Sequence, residues 1–218
     1  MAAPLSDVVR RLALPAGGLL LLMVGVAVGW SLAPRLTNPA DDSVEAGFAR
    51  DMATHHAQAV DMSFSVRDNA GDEEIRTLAA DIIVTQSTQR GIFMGWLQQW
   101  GLPQASTRPR MAWMPGHAHA GAATGSPVLM HGMATEDELQ RLRDAHGVAA
   151  EVLFLQLMIR HHEGGIIMAR AVMMLSSRHD IVTMAKSVIE GQQVEIDHMK
   201  AMLTARTAQP LPSLLSER

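Results

Sequence analysis

From residue 43 to residue 68 the apolar positions recur every three or four residues, the spacing of one helix face. Successive helical residues turn by about 100°, so with His55 at 0° Phe48 and Val66 fall near 20°, Ala59 near 40°, Met52 near 60° and Met62 near −20°. His55 therefore lies inside the apolar stripe, and His56, near 100°, lies on the flank that faces a neighbouring helix. Asp41, Asp42 or Ser43 can cap this helix, Asn69-Ala70-Gly71-Asp72 reads as a turn, and Asp72 can cap the next one. In that second helix Ile75, Ala79, Ile82, Phe93 and Leu97 form a stripe that also carries Gln86 and Gln89, and Gly101 with Pro103 supplies a stop after Trp100. Residues 104–134 break the pattern. Thr135-x-x-Glu138 then reads as a capping box opening a short helix to about Ala145, and two more long helices follow at about 148–176 and 180–205. The tail after Gln209-Pro210 reads as frayed. No stretch alternates with period two, so the expected class is all-α.

The second pair of helices repeats the first at an offset of 106 residues. Glu45 matches Glu151, Phe48 matches Phe154, Met52 matches Met158, and His55-His56 match His161-His162. Met62/Met168, Val66/Val172, Ile75/Ile181, Gln86/Gln192 and Leu97/Leu203 continue the register without a gap. Two duplicated helical hairpins predict a four-helix bundle with a long connection between halves. Folding each hairpin about its turn places His55 opposite Gln86 and Met52 opposite Gln89, and likewise His161 opposite Gln192 and Met158 opposite Glu195. The expectation is a buried mid-bundle layer of His, Gln and Glu flanked by Met.

Leu12 to Ala33 is a run of 22 residues without a charge, preceded by Arg10-Arg11. As a helix it would reach about 33 Å, enough to cross a bilayer core of about 30 Å. The basic pair predicts a single-pass helix with its N-terminus inside and the bundle extracytoplasmic. A signal peptide cleaved after Ser31-Leu32-Ala33 is the rival, with a secreted or periplasmic product, although Pro34 is a poor residue at that cut. The organisation read from the chain is thus 1–36 cytoplasmic stub and transmembrane anchor, 37–209 bundle with a Met/His-rich linker at 104–134, and 210–218 tail.

Composition narrows the chemistry. The 218 residues carry a formal charge of -4, which argues against a nucleic-acid partner. Cysteine is absent, removing disulfides, thiolate metal sites and thiol nucleophiles, whereas methionine reaches 16. Two His-His pairs, each with Met three residues before and seven after the first His, admit two readings: a metal site, or a hydrogen-bonded polar layer that fixes bundle register. A separate signal lies in the linker, where Met111, Met114, His117, His119, Met130, His131 and Met133 crowd further donors into what reads as a flexible segment. Thioethers suit Cu(I) and imidazoles suit Cu(II), Zn or Fe, so without thiolates copper is favoured over structural zinc. Glu195-x-x-His198 has the spacing of di-iron bundles, but its repeat counterparts are Gln89 and Ile92, which leaves a di-metal oxidase poorly supplied with carboxylates. No nucleophile–base constellation is evident, and an enzyme is not expected. A metal-free interaction module of the envelope is the remaining alternative, and oligomeric state is not legible.

The twice-repeated F-x-x-x-M-x-x-H-H, with GMATEDELQRL before the second copy and FLQLMIRHHEGG within it, resembles the family called domain of unknown function 305, to which CopM-type copper-binding periplasmic proteins belong. The resemblance covers about 42–203 and implies a ferritin-like bundle, an exported location and, for some members, copper as Cu(I) or Cu(II). Carried over by position, it implies ligands drawn from Met52, His55, His56, Met62, Met158, His161, His162 and Met168. Many members have Asp where this chain has Glu45 and Glu151. The function expected is copper binding or buffering by a membrane-anchored extracytoplasmic protein.

Overall fold

The computed structural model describes residues 18–26, 38–116 and 129–215. The chain forms two compact units, Met1–Asn38 and Pro39–Arg218. In the first, helix α1 is described over 18–26, and every described side chain on it is exposed. Among the described residues no helix is long and apolar enough to cross a membrane. The rest of the expected span, 12–17 and 27–33, lies outside the described residues, as do Arg10-Arg11 and the candidate cleavage site.

The second unit is all helix and loop among the described residues: α2 (Val44–Asn69), α3 (Glu73–Gln99), α4 (Glu136–Asp144), α5 (Gly147–Leu175) and α6 (His179–Ala205). The caps follow from local chemistry. Ser43 accepts from Ala46 N at 3.1 Å, Asp72 accepts from Glu74 N at 2.7 Å, and Thr135 with Glu138 closes both arms of a capping box. Gly101 turns the chain after α3 at φ 72°, a left-handed conformation that glycine adopts without a Cβ penalty.

Helices α2 and α3 form one hairpin, α5 and α6 the other, and α2 packs against α5 to join them. The inner pair runs antiparallel. Met52 and Phe48 share one core cluster with Met168 and Val172, while Met62 and Val66 share the other with Met158 and Phe154. The duplication survives as paired contacts. Glu151, at the start of α5, accepts from the turn amides Gly71 N and Asp72 N at 3.1 and 2.9 Å, and its repeat mate Glu45 accepts from Ser176 Oγ in the opposite turn at 2.6 Å. Asp72 pairs with Arg206 at 2.8 Å, and at the equivalent positions Arg178 stacks over the Trp100 ring at 5.6 Å. One copy uses an ion pair and the other a cation–π contact across the same gap.

Two expectations need correction. The linker, expected to be flexible, is packed against the bundle over its described parts. Met111 N and Trp113 Nε1 both donate to the buried Asp51 Oδ2, at 2.8 and 2.9 Å, and burial raises the Asp51 pKa above the ordinary carboxylate value. Trp113 packs against Gly47, where an added Cβ would come within 2.6 Å of the indole. The tail is docked over its described part, to residue 215. Gln156 Nε2 donates to Gln209 O at 2.7 Å, Leu211 and Leu215 pack on the core, and Ser213 Oγ and Leu214 N both donate to the buried Glu163 carboxylate at 2.7 Å. A carboxylate taken out of water needs such donors, and those near the chain end supply them. Replacing Ser213 with alanine should therefore cost about 2 kcal/mol, the range for a bond to a charged buried group, read as a lower urea midpoint with unchanged slope.

Candidate metal centre

His55 and His56 on α2, and His161 and His162 on α5, are all 0 % exposed. The rings of His55 and His161 stack at 3.7 Å where the inner helices cross. Every one of the four uses Nε2 on an oxygen acceptor. His55 donates to the His131 carbonyl at 3.0 Å, and His161 donates to the His55 carbonyl at 3.1 Å. His56 donates to Gln89 Oε1 at 2.7 Å, and His162 donates to Glu195 Oε2 at 2.5 Å. An oxygen of a carbonyl or carboxylate can only accept, so Nε2 carries the hydrogen in each ring. Burial keeps three of the rings neutral: it lowers the pKa of His55 to about 3 and of His56 to about 4, and holds His161 well below the ordinary value. A neutral Nε2–H ring presents a bare lone pair at Nδ1.

None of those four Nδ1 atoms has a hydrogen-bond partner. Leaving a buried polar atom unsatisfied costs about 1–3 kcal/mol, so four together cost on the order of 4–12, against a typical domain stability of about 5–15. A polar layer kept only for register would be self-satisfied, and this one is satisfied on one side of each ring alone. Imidazole ligands share this pattern, with the second ring nitrogen anchored by a carboxylate or carbonyl. The chemistry on offer is soft: bare imidazole nitrogens with the thioethers Met52, Met62, Met158 and Met168, all 0 % exposed. Among the described residues no three His, Asp or Glu side chains are grouped as a metal cage.

The partners differ from the expected ones by one turn. His55 and His161 bond backbone carbonyls rather than Gln86 and Gln192, while Gln89 and Glu195 serve the second histidine of each pair and not Met52 and Met158. The reason is geometric. Helical side chains lean toward their own N-terminus, so in an antiparallel pair the two leans run in opposite directions and shift the facing register by a few residues. Gln86 and Gln192 are still buried, and Gln192 lies across Gly165, where its Nε2 would sit 3.0 Å from an added Cβ.

The twofold pattern breaks where the linker enters. By repeat, His55 Nε2 should meet the His161 carbonyl, but the His131 carbonyl takes that place. Gly164 permits this, since a Cβ there would stand 2.8 Å from Gly132 N and closer still to His131 O. Gln58, the repeat counterpart of Gly164, clamps the same strap through Ala134 O at 2.9 Å and Ala134 N at 2.8 Å. The Gly-Gly pair inside a long helix is the one sequence signal that marks this close approach, and Gln58 carried none. Met111 and Met130, at 1 % and 2 % exposed, join Met52 and Met168 in one core cluster, with Met114 and Met133 packed against it. His131 is half-buried, and His117 and His119 lie outside the described residues. The di-iron spacing does not form a site: Glu195 serves His162, while His198 is exposed, 3.7 Å from Glu74. The buried carboxylates Asp51, Glu151 and Glu163 are engaged by Trp113 with Met111, by Arg206 with the 70–72 turn, and by the tail.

Comparison with known proteins agrees with this architecture. No curated protein matches the chain. A DUF305 protein of Streptomyces coelicolor, described as secreted, is 43% identical, with 79% of this chain and 99% of that one covered at a TM-score of 0.70. A DUF305 fragment from Deinococcus radiodurans is 30% identical over 77% and 99%, at 0.63. CopM in its Cu(II)-bound form is 26% identical over 75% and 97%, at 0.56. The sequence profile described as "Domain of unknown function (DUF305)" matches residues 45–203, and the chain belongs to that family.

Proposed function

We propose that the bundle binds copper, as Cu(I), between the histidine pairs and their methionines, and acts as a buffer or carrier rather than an enzyme. The observation that carries the reading is the set of four buried rings with Nε2–H anchored and Nδ1 bare. His55, His56, His161 and His162 supply nitrogen donors, and Met52, Met62, Met158 and Met168 supply thioethers that favour Cu(I) over Zn(II). The likeness to CopM, solved with Cu(II), supports the metal. Export is supported by the secreted description of the Streptomyces relative, and the uncharged run at 12–33 is the sequence feature that would anchor the protein.

The test is Cu(I) competition against a chromophoric chelator, with Zn(II) in parallel. Tight Cu(I) binding should disappear when His55, His56, His161 and His162 are all replaced by alanine, with far-UV circular dichroism reporting retained helix. Should that variant unfold, the pair His56→Asn and His162→Asn removes two donors while keeping polar side chains there, and should weaken binding at least tenfold. Full affinity in the variants would overturn the reading. The described linker methionines are not a clean control: Met111 and Met130 are core residues, and removing them opens cavities.

A further inference from the structure

The two hairpins are not equal partners for a cation. At matching repeat positions His56 is backed by the amide oxygen of Gln89 at 2.7 Å, whereas His162 is backed by the carboxylate of Glu195 at 2.5 Å. We infer that Glu195 is a positioning and charge-balancing residue that makes His162 the stronger of the two arms, so the α5–α6 side of the layer binds a soft monovalent cation first. This rests on the copper reading above.

Two physical effects act in the same direction. A carboxylate accepting the Nε2–H polarises the imidazole and raises the donor strength of the opposite nitrogen, which a neutral amide does more weakly. A cation brought among side chains that are 0 % exposed also needs a counter-charge, because an unpaired ion in a low-dielectric interior is costly. The buried carboxylates of the layer's surroundings are already held by other donors. Glu163, next to His162 in sequence, is taken up by Ser213 and Leu214. Among the described residues Glu195 is the carboxylate that touches a layer histidine, and it sits at the edge of the layer, 22% exposed. One carboxylate balances one positive charge, which favours a monovalent ion over a divalent one.

The duplication supplies its own control. Glu195→Gln turns the second arm into a copy of the first, and Gln89→Glu does the reverse. Both keep an oxygen acceptor of the same length, so a purely structural hydrogen bond survives in each. In the full-length protein, Glu195→Gln should weaken Cu(I) at least tenfold in chelator competition, and Gln89→Glu should strengthen it. Ring nitrogen NMR of the metal-free Glu195→Gln protein should still report the Nε2–H form of His162, which separates lost charge from lost orientation. Wild-type affinity in both variants would overturn the role of Glu195 while leaving copper binding intact. A wild-type protein that binds no Cu(I) would overturn the reading beneath it as well.

Discussion

Replacing Gly164 with alanine should destabilise the bundle by about 3–5 kcal/mol. A Cβ at that position would meet the backbone of His131 and Gly132. Both sides of the clash are main chain, so no rotamer change relieves it. Overpacking of this kind costs about 1–3 kcal/mol, occasionally more. Lifting the strap also loosens the His55 bond to the His131 carbonyl and the two Gln58 bonds to Ala134, each worth about 1 kcal/mol. Gly191, mid-helix in α6 with open space around its would-be Cβ, is the contrast: alanine there should stabilise by about 0.5–1 kcal/mol. Urea unfolding of the two variants reads both signs. A loss below about 1 kcal/mol for Gly164→Ala would mean that the strap does not rest on α5 as described.

Acid should unfold the bundle between about pH 6.5 and pH 4.5, well above the point at which carboxylate protonation would do so. In the unfolded chain each histidine takes up a proton near its ordinary value of 6.5. In the folded protein desolvation delays that uptake to about 3 for His55 and about 4 for His56, and well below the ordinary value for His161. A base whose folded pKa is depressed leaves full stability above the unfolded pKa, and stability falls as pH drops toward the folded one. Each such ring costs about 1.4 kcal/mol per pH unit, and three cost about 4, so two units remove about 8 kcal/mol, enough to unfold a typical domain. Asp51, whose pKa burial raises, works in the opposite sense and offsets part of this. Far-UV circular dichroism against pH tests the prediction. Replacing His55 and His161 with leucine should flatten the slope to about a third; an unchanged slope would show that these rings do not titrate as buried neutral groups.

The sequence carried the helices because their determinants are local. A 3.6-residue stripe places Phe48, Met52, His55 and Val66 on one face, and Ser43, Asp72 and Thr135 cap from within three residues. The duplication added the hairpins and the burial of all four histidines, since identical stripes need identical neighbours. Partner choice was less legible. A fold about each turn brought Gln89 and Glu195 to the right height but to the wrong residues, because summed residue numbers ignore the N-terminal lean of side chains.

What the chain alone determined is therefore its class, its repeat and the presence of imidazole and thioether groups in the core. Only the tertiary structure decided which ring nitrogen is anchored and which is bare, because that depends on acceptors up to 106 residues away. It also decided that the linker enters the core through Met111 and Met130, and that the tail closes over Glu163. Those contacts have no period and no spacing rule. They form because a packed interior cannot leave a carboxylate without donors, and because two glycines on α5 let another backbone and a glutamine come close.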